Sequence, residues 1–343
     1  MRWREAMQRA LYGPGGFFAG TGGGPAAHFR TSAHTSPLFA GALARLVARL
    51  DEVLDHPAQF DVVDVGAGRA ELLQALLASL PSELAGRVRA TAVELAPRPP
   101  DLPAGIRWVP EPPEKVTGLL LGTEWLDNVP LDVVTVDDAG GHRYVYVDEL
   151  GHERPGPAVM HADLAWLDRW WPLQDAPPGA RAEVGAPRDA AWAAAVDTMV
   201  CGLALAVDYG HLRGGRPVFG TLAGYRAGRR VAPVPDGTCD LTAHVALDAV
   251  AEAGSGRTGV PPLLLSQRAA LRGLGVAGDR PPLELAHSDP VRYIRELATA
   301  SVAWELTDPE GLGGHYWLLQ PVGLDVGALG MAQLGMTRSH TAG

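Results

Sequence analysis

The sequence predicts an α/β protein of the doubly wound, Rossmann-like class with a mainly parallel sheet. Three observations lead to this prediction. Short apolar, strand-like segments alternate with helical ones, a glycine-punctuated turn follows the first of these strands, and hydrophobic residues make up 47% of the 343 residues against 20% charged residues. A chain of this length and composition can bury a large core, in two domains or in one domain with insertions.

The predicted elements follow one another in the order that such a fold requires. A helix is predicted near residues 2–11, and a second helix is capped by Ser36 with Pro37 at its first position. The segment FDVVDVGAGRAELLQALLASL, residues 60–80, combines a strand, a glycine turn and a helix in one βα unit. Further strands are predicted at residues 87–95, 106–109, 116–126 and 202–210, with a last strand around HYWLLQ.

An insertion interrupts this alternation after the fourth strand. Two alternating segments, VVTVDD and HRYVYVD, flank Gly140 and Gly141 and predict a β-hairpin, and the segments ADLAWLDRWW and PRDAAWAAAVDTMV predict helices. A helix is also predicted to start near Thr242. The expected organisation is an N-terminal region at residues 1–55, a main domain at 56–330 with an insertion at about 132–185, and a flexible tail at 331–343.

Charge and composition exclude several classes of protein. There are 29 Lys and Arg against 39 Asp and Glu, and the net charge of −10 argues against nucleic-acid binding through a basic surface. Two cysteines cannot form a disulfide framework, and the histidines show no metal-ligand spacing, so we expect a reducing compartment and no metal site. No segment approaches the ~20 apolar residues of a membrane helix, so we expect a cytoplasmic protein without membrane insertion.

The turn VVDVGAGRAEL is the strongest single motif. Gly66 and Gly68 stand where the chain passes from strand to helix, and the missing β-carbons let a ligand approach the backbone. Ala70 leaves the third glycine of a pyrophosphate-binding fingerprint unfilled, whereas Asp64 can accept a hydrogen bond from an ammonium group. The motif therefore favours S-adenosyl-L-methionine over a dinucleotide.

Other carboxylates are predicted at the carboxyl ends of neighbouring strands, where open α/β sheets bind ligands. Glu94 follows the second strand and can bind two ribose hydroxyls with its two oxygens. Glu124 and Asp127, in GTEWLDNVP, are candidates to face the reacting group and to orient a guanidinium or an amine. The alternative for this pair is structural: Asp127 would cap a turn and Glu124 would pair with an arginine.

The segment DYGH ends a further strand at the same predicted edge. Asp208, Tyr209 and His211 could bring a carboxylate, a phenol and a base into one site. For a single histidine such as His211, a structural role is the alternative interpretation.

The order of motifs resembles the MidA family of class I S-adenosyl-L-methionine-dependent methyltransferases, which includes the mitochondrial methyltransferase of respiratory complex I assembly. The resemblance runs from Tyr12 to about Leu319, and the blocks that carry it are YGPGGFF, HFRTSAHTSPLF, VVDVGAGRAEL, AVELAP, EWLDNVP, EVGAPRDAAW, LAVDYGH, GTLAGYR, DGTCDLTAHV, SQRAAL and GLGGHYWLL. It implies a seven-stranded core with an inserted subdomain and an N-terminal lid region.

The resemblance also implies roles for individual residues and for the substrate. Asp64, Gly66 and Gly68 would line the methionine part of the cofactor, Glu94 would bind its ribose, and a loop with Thr31, Ser32 and Ser36 would fold over the site. The acidic pair after the fourth strand would be Glu124 and Asp127. The acceptor would be an arginine of a protein, such as a respiratory-complex subunit.

Some residues depart from the family pattern. His28 and His34 replace acidic residues beside Thr31 and Ser32, and Asp64 replaces the customary Glu. Two histidines in place of carboxylates would weaken the attraction for a cationic guanidinium.

Three other functions stay open at this point. The first is an assembly factor that binds S-adenosyl-L-methionine with little catalysis, with a docking surface at Trp166, Trp170 and Trp171 unless these pack the insertion onto the core. The second is a methyltransferase for small molecules. The third is a nicotinamide-dependent oxidoreductase, against which the incomplete glycine fingerprint argues.

Overall fold

The computed structural model describes residues 1–18 and 36–330 of the chain. Its strands are β1 Phe60–Val65, β2 Val88–Val93, β3 Ile106–Val109, β4 Val116–Thr123, β5 Asp132–Val136, β6 His142–Val147, β7 Glu153–Ala158, β8 Arg181–Val184, β9 Met199–Asp208, β10 Gly210–His211, β11 Ala223–Arg226, β12 Arg229–Val231, β13 Asp240–Thr242, β14 Val245–Ala246, β15 Leu263–Ser266 and β16 Tyr316–Val322. Its α-helices are α1 Trp3–Tyr12, α2 Pro37–Val53, α3 Glu71–Ala78, α4 Ser82–Ala85, α5 His161–Trp170, α6 Ala186–Asp197, α7 Leu247–Thr258, α8 Gln267–Gly273, α9 Leu283–Ser288 and α10 Pro290–Thr307.

The central sheet has seven strands in the order β3–β2–β1–β4–β9–β16–β15. Neighbouring strands from β3 to β9 are parallel, whereas β16 is antiparallel to both β9 and β15. The chain moves outward from β1 to β3 and then returns to β4, which creates a topological switch point between β1 and β4. The predicted α/β class with a mainly parallel sheet is confirmed.

Helices cover both faces of this sheet because successive strand residues point to opposite sides. In β1, Val62 packs against the layer that contains α2, α3 and α8, and Val63 packs against the layer that contains α6 and α7. Helix α2 begins as predicted, since the Ser36 hydroxyl accepts a hydrogen bond from the Leu38 amide at 3.0 Å and Pro37 occupies the first turn.

The insertion between β4 and β9 forms a second sheet of four strands in the order β7–β6–β5–β8. The predicted hairpin is present as β5 and β6. Helix α1 packs Trp3 and Met7 on one face, while Trp166 and Trp171 pack on the other. Both of these tryptophans are buried, which favours the packing interpretation of the tryptophan cluster over a docking surface.

Short strands after β9 lie over the carboxyl edge of the central sheet. Strands β12, β11 and β13 form a small antiparallel sheet, and β10 pairs with β14. The helix expected near Thr242 starts only at Leu247, because residues 240–242 hydrogen-bond to β11 instead. Within the described ranges, no helix combines the length and the apolar character needed to cross a membrane.

Candidate functional site

The strand register brings the predicted site together at one edge of the sheet. Val65 at the end of β1 lies beside Val93 of β2 and Gly122 of β4, and Thr123 of β4 lies beside Val207 of β9. A cavity of about 1320 Å³ opens at this edge. The residues that follow these four strands therefore line one pocket although they are far apart in sequence.

The two glycines of the first turn have different structural roles. Both have left-handed backbone angles, with φ of +72° at Gly66 and +56° at Gly68. A β-carbon at Gly66 would come within 3.0 Å of Trp125 Cδ1, so this glycine makes room for the tryptophan. A β-carbon at Gly68 would meet nothing within 4 Å, so this glycine is where the pocket reaches the backbone.

Asp64 and Glu94 form the acidic wall next to this turn. Asp64 is buried, and burial, followed by the negative charge of Glu94, raises its pKa to about 7. Glu94 accepts the Gly68 amide with Oε2 at 3.0 Å and the Leu95 amide with Oε1 at 2.7 Å. Oε1 also accepts the Ala96 amide at 3.1 Å. These bonds hold the Glu94 carboxylate across the glycine turn, and they leave a lone pair for a ligand on Oε2.

Asp127 is a carboxylate on the opposite wall of the cavity. Its Oδ2 accepts the Thr242 hydroxyl at 2.7 Å and the Tyr209 hydroxyl, whereas its Oδ1 is buried without a hydrogen-bond partner. Burial raises the pKa of Asp127, against the lowering effect of these two hydroxyls. A buried carboxylate oxygen without a partner is costly unless a ligand satisfies it.

Glu124 stands three residues earlier, at the point where the chain leaves β4. It has a left-handed backbone with φ of +50°, and its amide donates to the Val207 carbonyl at 2.8 Å. Glu124 also lines the cavity. The structure therefore brings Glu124 and Asp127 to the same pocket as Asp64, Gly68 and Glu94.

Arg188, at the start of α6, hydrogen-bonds to the turn that carries Asp127. It was not predicted as a site residue. It is fully buried, and its guanidinium donates to four carbonyls, those of Asp127, Val129, Ala243 and His244. Burial lowers its pKa, and the carboxylates of Asp127, Asp208 and Glu183 act in the opposite direction. The sequence shows an arginine in EVGAPRDAAW, but no local pattern indicates that it is buried.

Two residues predicted to be catalytic, Asp208 and His211, do not line this cavity. Asp208 Oδ2 accepts the amides of Leu126 and Asp127 at 3.0 and 3.3 Å, so its carboxylate caps the turn that carries Asp127. His211 packs edge-on against Trp171 and contacts Arg216 with Nδ1 at 2.7 Å. Burial, then the charge of Arg216, lowers the pKa of His211 to about 3. The geometry thus corrects the expected catalytic placement of these two residues. Asp208 caps the turn that carries Asp127, and His211 packs against Trp171 outside the cavity lining.

The predicted lid residues are only partly within the structure. Thr31 and Ser32, together with His28 and His34, lie outside the described residues. Ser36 is described, but it caps α2 and is not among the described residues that line the cavity.

Several cavity residues were missed because they come from the small strands after β9 or, for His315, from the turn before β16. Asp240 accepts the Asn128 amide with Oδ1 at 2.7 Å, and burial, then the charge of Asp127, raises its pKa to about 8. The rings of His244 and His315 lie 5.1 and 5.5 Å from the ring of Tyr209. The motif DLTAHV contains two of these residues, but only the fold places it beside Asp127.

The electrostatic character of the cavity is strongly acidic. Its described lining includes no Arg or Lys, and burial and the charge of His244 lower the pKa of His315 to about 4, which leaves that imidazole neutral. The carboxyl residues of the lining are Asp64, Glu71, Glu94, Glu111, Glu114, Glu124, Asp127, Asp240, Glu305, Asp308 and Glu310. The described part of the lining therefore favours cations and offers no Arg or Lys to a pyrophosphate.

The sheet order and the pocket at the switch point define the class of Rossmann-like α/β proteins that bind a nucleoside-containing ligand at the carboxyl edge. A family model described as "Putative S-adenosyl-L-methionine-dependent methyltransferase" matches residues 42–264. The chain belongs to this family.

Two solved structures from Burkholderia thailandensis are similar to the chain. One is a COG1565 superfamily member bound to S-adenosyl-homocysteine, with 27% identity and a TM-score of 0.77 over 95% of this chain and 88% of that chain. The other is an uncharacterised COG1565 superfamily protein, with 27% identity and a TM-score of 0.75 over the same shares. Among curated proteins, none matches the chain significantly.

S-adenosyl-L-methionine is therefore the cofactor, and the protein is a methyltransferase of this family. The residues present fit this cofactor, because Gly68 opens the backbone and Asp64 and Glu94 offer carboxylates to an ammonium group and to hydroxyls.

Proposed function

We propose that the protein transfers a methyl group from S-adenosyl-L-methionine to the guanidinium of a protein arginine, as in the MidA family that its motifs resemble. The observation that carries the proposal is the acidic cavity, whose described lining has many carboxyl groups and no Arg or Lys. One of these carboxyl groups is Asp127, whose buried Oδ1 has no hydrogen-bond partner. A guanidinium offers several N–H donors to carboxylate oxygens, and it brings a positive charge to the acidic lining.

Bound S-adenosyl-L-methionine supplies an electrophilic methyl group on a sulfonium. The task of this chain is to align the acceptor nitrogen and to exclude water. Asp64, Gly68 and Glu94 would bind the cofactor at the ends of β1 and β2. Glu124 and Asp127 would bind the acceptor at the end of β4. The two ligands would then meet at the switch point.

The acceptor must lose a proton as the new N–C bond forms. In the proposed mechanism, Asp127 localises the positive charge of the guanidinium away from the attacking nitrogen, which keeps its lone pair. Asp127 also takes the proton, for which the raised pKa of its buried carboxyl is suited. Tyr209 and Thr242 hold the other oxygen of this carboxylate and so fix its direction.

The resemblance suggests a respiratory-complex subunit as the acceptor protein. The acidic cavity supports a basic acceptor side chain on that protein.

Amide variants of the two acceptor-side carboxylates test the proposed function. We expect Asp127→Asn and Glu124→Gln to lower turnover on an arginine peptide by about 10²-fold or more, because each removes charge that the reacting guanidinium needs. The affinity for S-adenosyl-homocysteine should change by less than about threefold. Radiolabelled methyl transfer and calorimetry measure the two quantities.

The matched control is Asp138→Asn, which removes an exposed carboxylate in the hairpin of the insertion and should leave both quantities unchanged. Wild-type turnover in both active-site variants would remove Glu124 and Asp127 from the mechanism. A wild-type protein that binds S-adenosyl-homocysteine but methylates no arginine peptide would contradict the arginine acceptor.

A further inference from the structure

Among residues 1–18 and 36–330, none covers an apolar surface that lies on α10, outside the core. The core side of this helix is formed by Ala300, Ala303 and Leu306, which are buried. Ile294 is 67% exposed, and Leu297 is partly covered, at 37% exposed. Trp304 is 63% exposed and lies seven residues, or two turns, after Leu297, so the two side chains share one side of the helix. We call Ile294, Leu297 and Trp304 the α10 stripe.

Large exposed apolar side chains that cluster in this way mark an interaction surface more often than isolated ones do. Leu283 of α9 and Val291 at the start of α10 are also exposed and extend the same region. Elsewhere in the described chain, exposed large apolar residues such as Leu150 occur singly or in pairs.

The α10 stripe is continuous with the functional cavity. Trp304 belongs both to the stripe and to the lining of the cavity, and the next carboxyl residues of the lining along the chain are Glu305, Asp308 and Glu310. From Trp304 to Ile294 the helix rises about 15 Å. About five residues of an extended peptide span that distance.

The charge of the cavity indicates which kind of partner fits the α10 stripe and the cavity together. The mouth of the cavity is acidic, with Glu305, Asp308 and Glu310 beside Trp304. A polypeptide that inserts a basic side chain into the cavity and carries apolar side chains about five residues away satisfies both parts at once.

We propose that the α10 stripe docks the segment of the protein substrate that flanks the methylated residue, through apolar side chains about five residues from it. This inference rests on the proposed arginine acceptor. It makes the stripe a determinant of substrate choice that acts on KM, since none of its exposed aliphatic side chains lines the cavity.

The test compares two probe peptides of 15 residues with a central arginine. One carries Leu and Ile at the fourth to sixth positions on either side of the arginine, and the other carries Ser there. The wild-type protein should show a KM about tenfold lower for the apolar peptide, and the double variant Ile294→Gln/Leu297→Gln should lose that difference with kcat at saturation retained.

The control variant is Leu150→Gln, because Leu150 is also exposed, at 71%, and lies in a turn of the insertion. It should keep the preference. Equal KM values of the wild-type protein for both peptides, unchanged in the double variant, would overturn the docking surface and leave the arginine acceptor in place. Methylation of neither peptide, with S-adenosyl-homocysteine still bound, would overturn the arginine acceptor and the docking surface with it.

Photocrosslinking identifies the occupant directly. With p-benzoylphenylalanine in place of Ile294, the full chain should crosslink the apolar peptide in competition with unlabelled peptide. A crosslink to a second copy of the chain, or to its own residues 19–35 or 331–343, that persists with saturating peptide would overturn the proposal.

Discussion

Asp64 combines deep burial with a neighbouring negative charge. Its pKa is raised to about 7 by burial first and by Glu94 second. Cofactor binding through the ammonium group would require the ionised carboxylate, and a proton on Asp64 competes with that contact. The affinity for cofactor should therefore depend on pH near neutrality.

We predict that affinity for S-adenosyl-homocysteine rises as pH increases toward 7, by up to about tenfold per pH unit, and levels off above 7. Asp64→Asn should flatten this dependence, and Asp279→Asn, in an exposed loop, should keep it. Calorimetry between pH 5.5 and 8.5 provides the measurement. An Asp64→Asn variant with the slope of the wild-type protein would assign the effect to another group.

Arg188 is the residue whose loss should damage the fold most. Its guanidinium satisfies four carbonyls and lies near the carboxylates of Asp127, Asp208 and Glu183. We predict that Arg188→Met lowers the free energy of unfolding by about 3–5 kcal/mol, because it leaves buried groups unpaired. Urea denaturation measures the change.

For comparison, Arg272→Met replaces an exposed arginine on α8 and should cost less than about 0.5 kcal/mol. A loss below about 1 kcal/mol in Arg188→Met would show that the surrounding loops do not depend on the guanidinium.

At the scale of elements, the hairpin between β11 and β12 contains local strain. Arg226 pairs with Arg229, so Ala227 and Gly228 form a two-residue turn with φ of +48° and +73°. A turn with both residues at positive φ is type I′, which favours Asn followed by Gly. The alanine at its first position is therefore unfavourable.

We predict that Ala227→Asn raises the free energy of unfolding by about 0.5–1 kcal/mol. Thermal and urea unfolding measure it, and Ala139→Asn, at an exposed position in another hairpin, separates the turn effect from a general effect of asparagine. A decrease in stability would show that the alanine side chain has contacts that outweigh the strain.

The elements that the sequence predicted well have complete local signals. Helix α2 has a serine cap and a proline in its first turn, and β1, β2 and β4 are apolar runs bounded by turns. The small strands β10 to β14 have only two to four residues each, and they exist through pairing with distant segments. Local periodicity cannot predict such strands, which is why the helix expected near Thr242 was placed too early.

At the scale of the whole molecule, the candidate site joins residues that are far apart along the chain. The sequence predicted Asp64, Glu94, Glu124 and Asp127 because each follows a strand, and parallel strands end at one edge. It also predicted Asp208 in the cavity, whereas that side chain faces the turn behind Asp127. The direction of a side chain after a strand depends on tertiary contacts, so sequence alone identifies the edge and only some of the residues that face the pocket.

The four-stranded insertion leaves the core after Leu131 and returns at Gly185, and Arg188 joins the two points by binding the Val129 carbonyl at 3.2 Å. The insertion also packs against α7, because Trp166 and Trp171 share one apolar cluster with Ala246 and Ala249. The hairpin of β6 and β7 is remote in sequence from the strands that end at the cavity, so a change in the length of its turn should leave the cavity intact as long as Arg188 is retained.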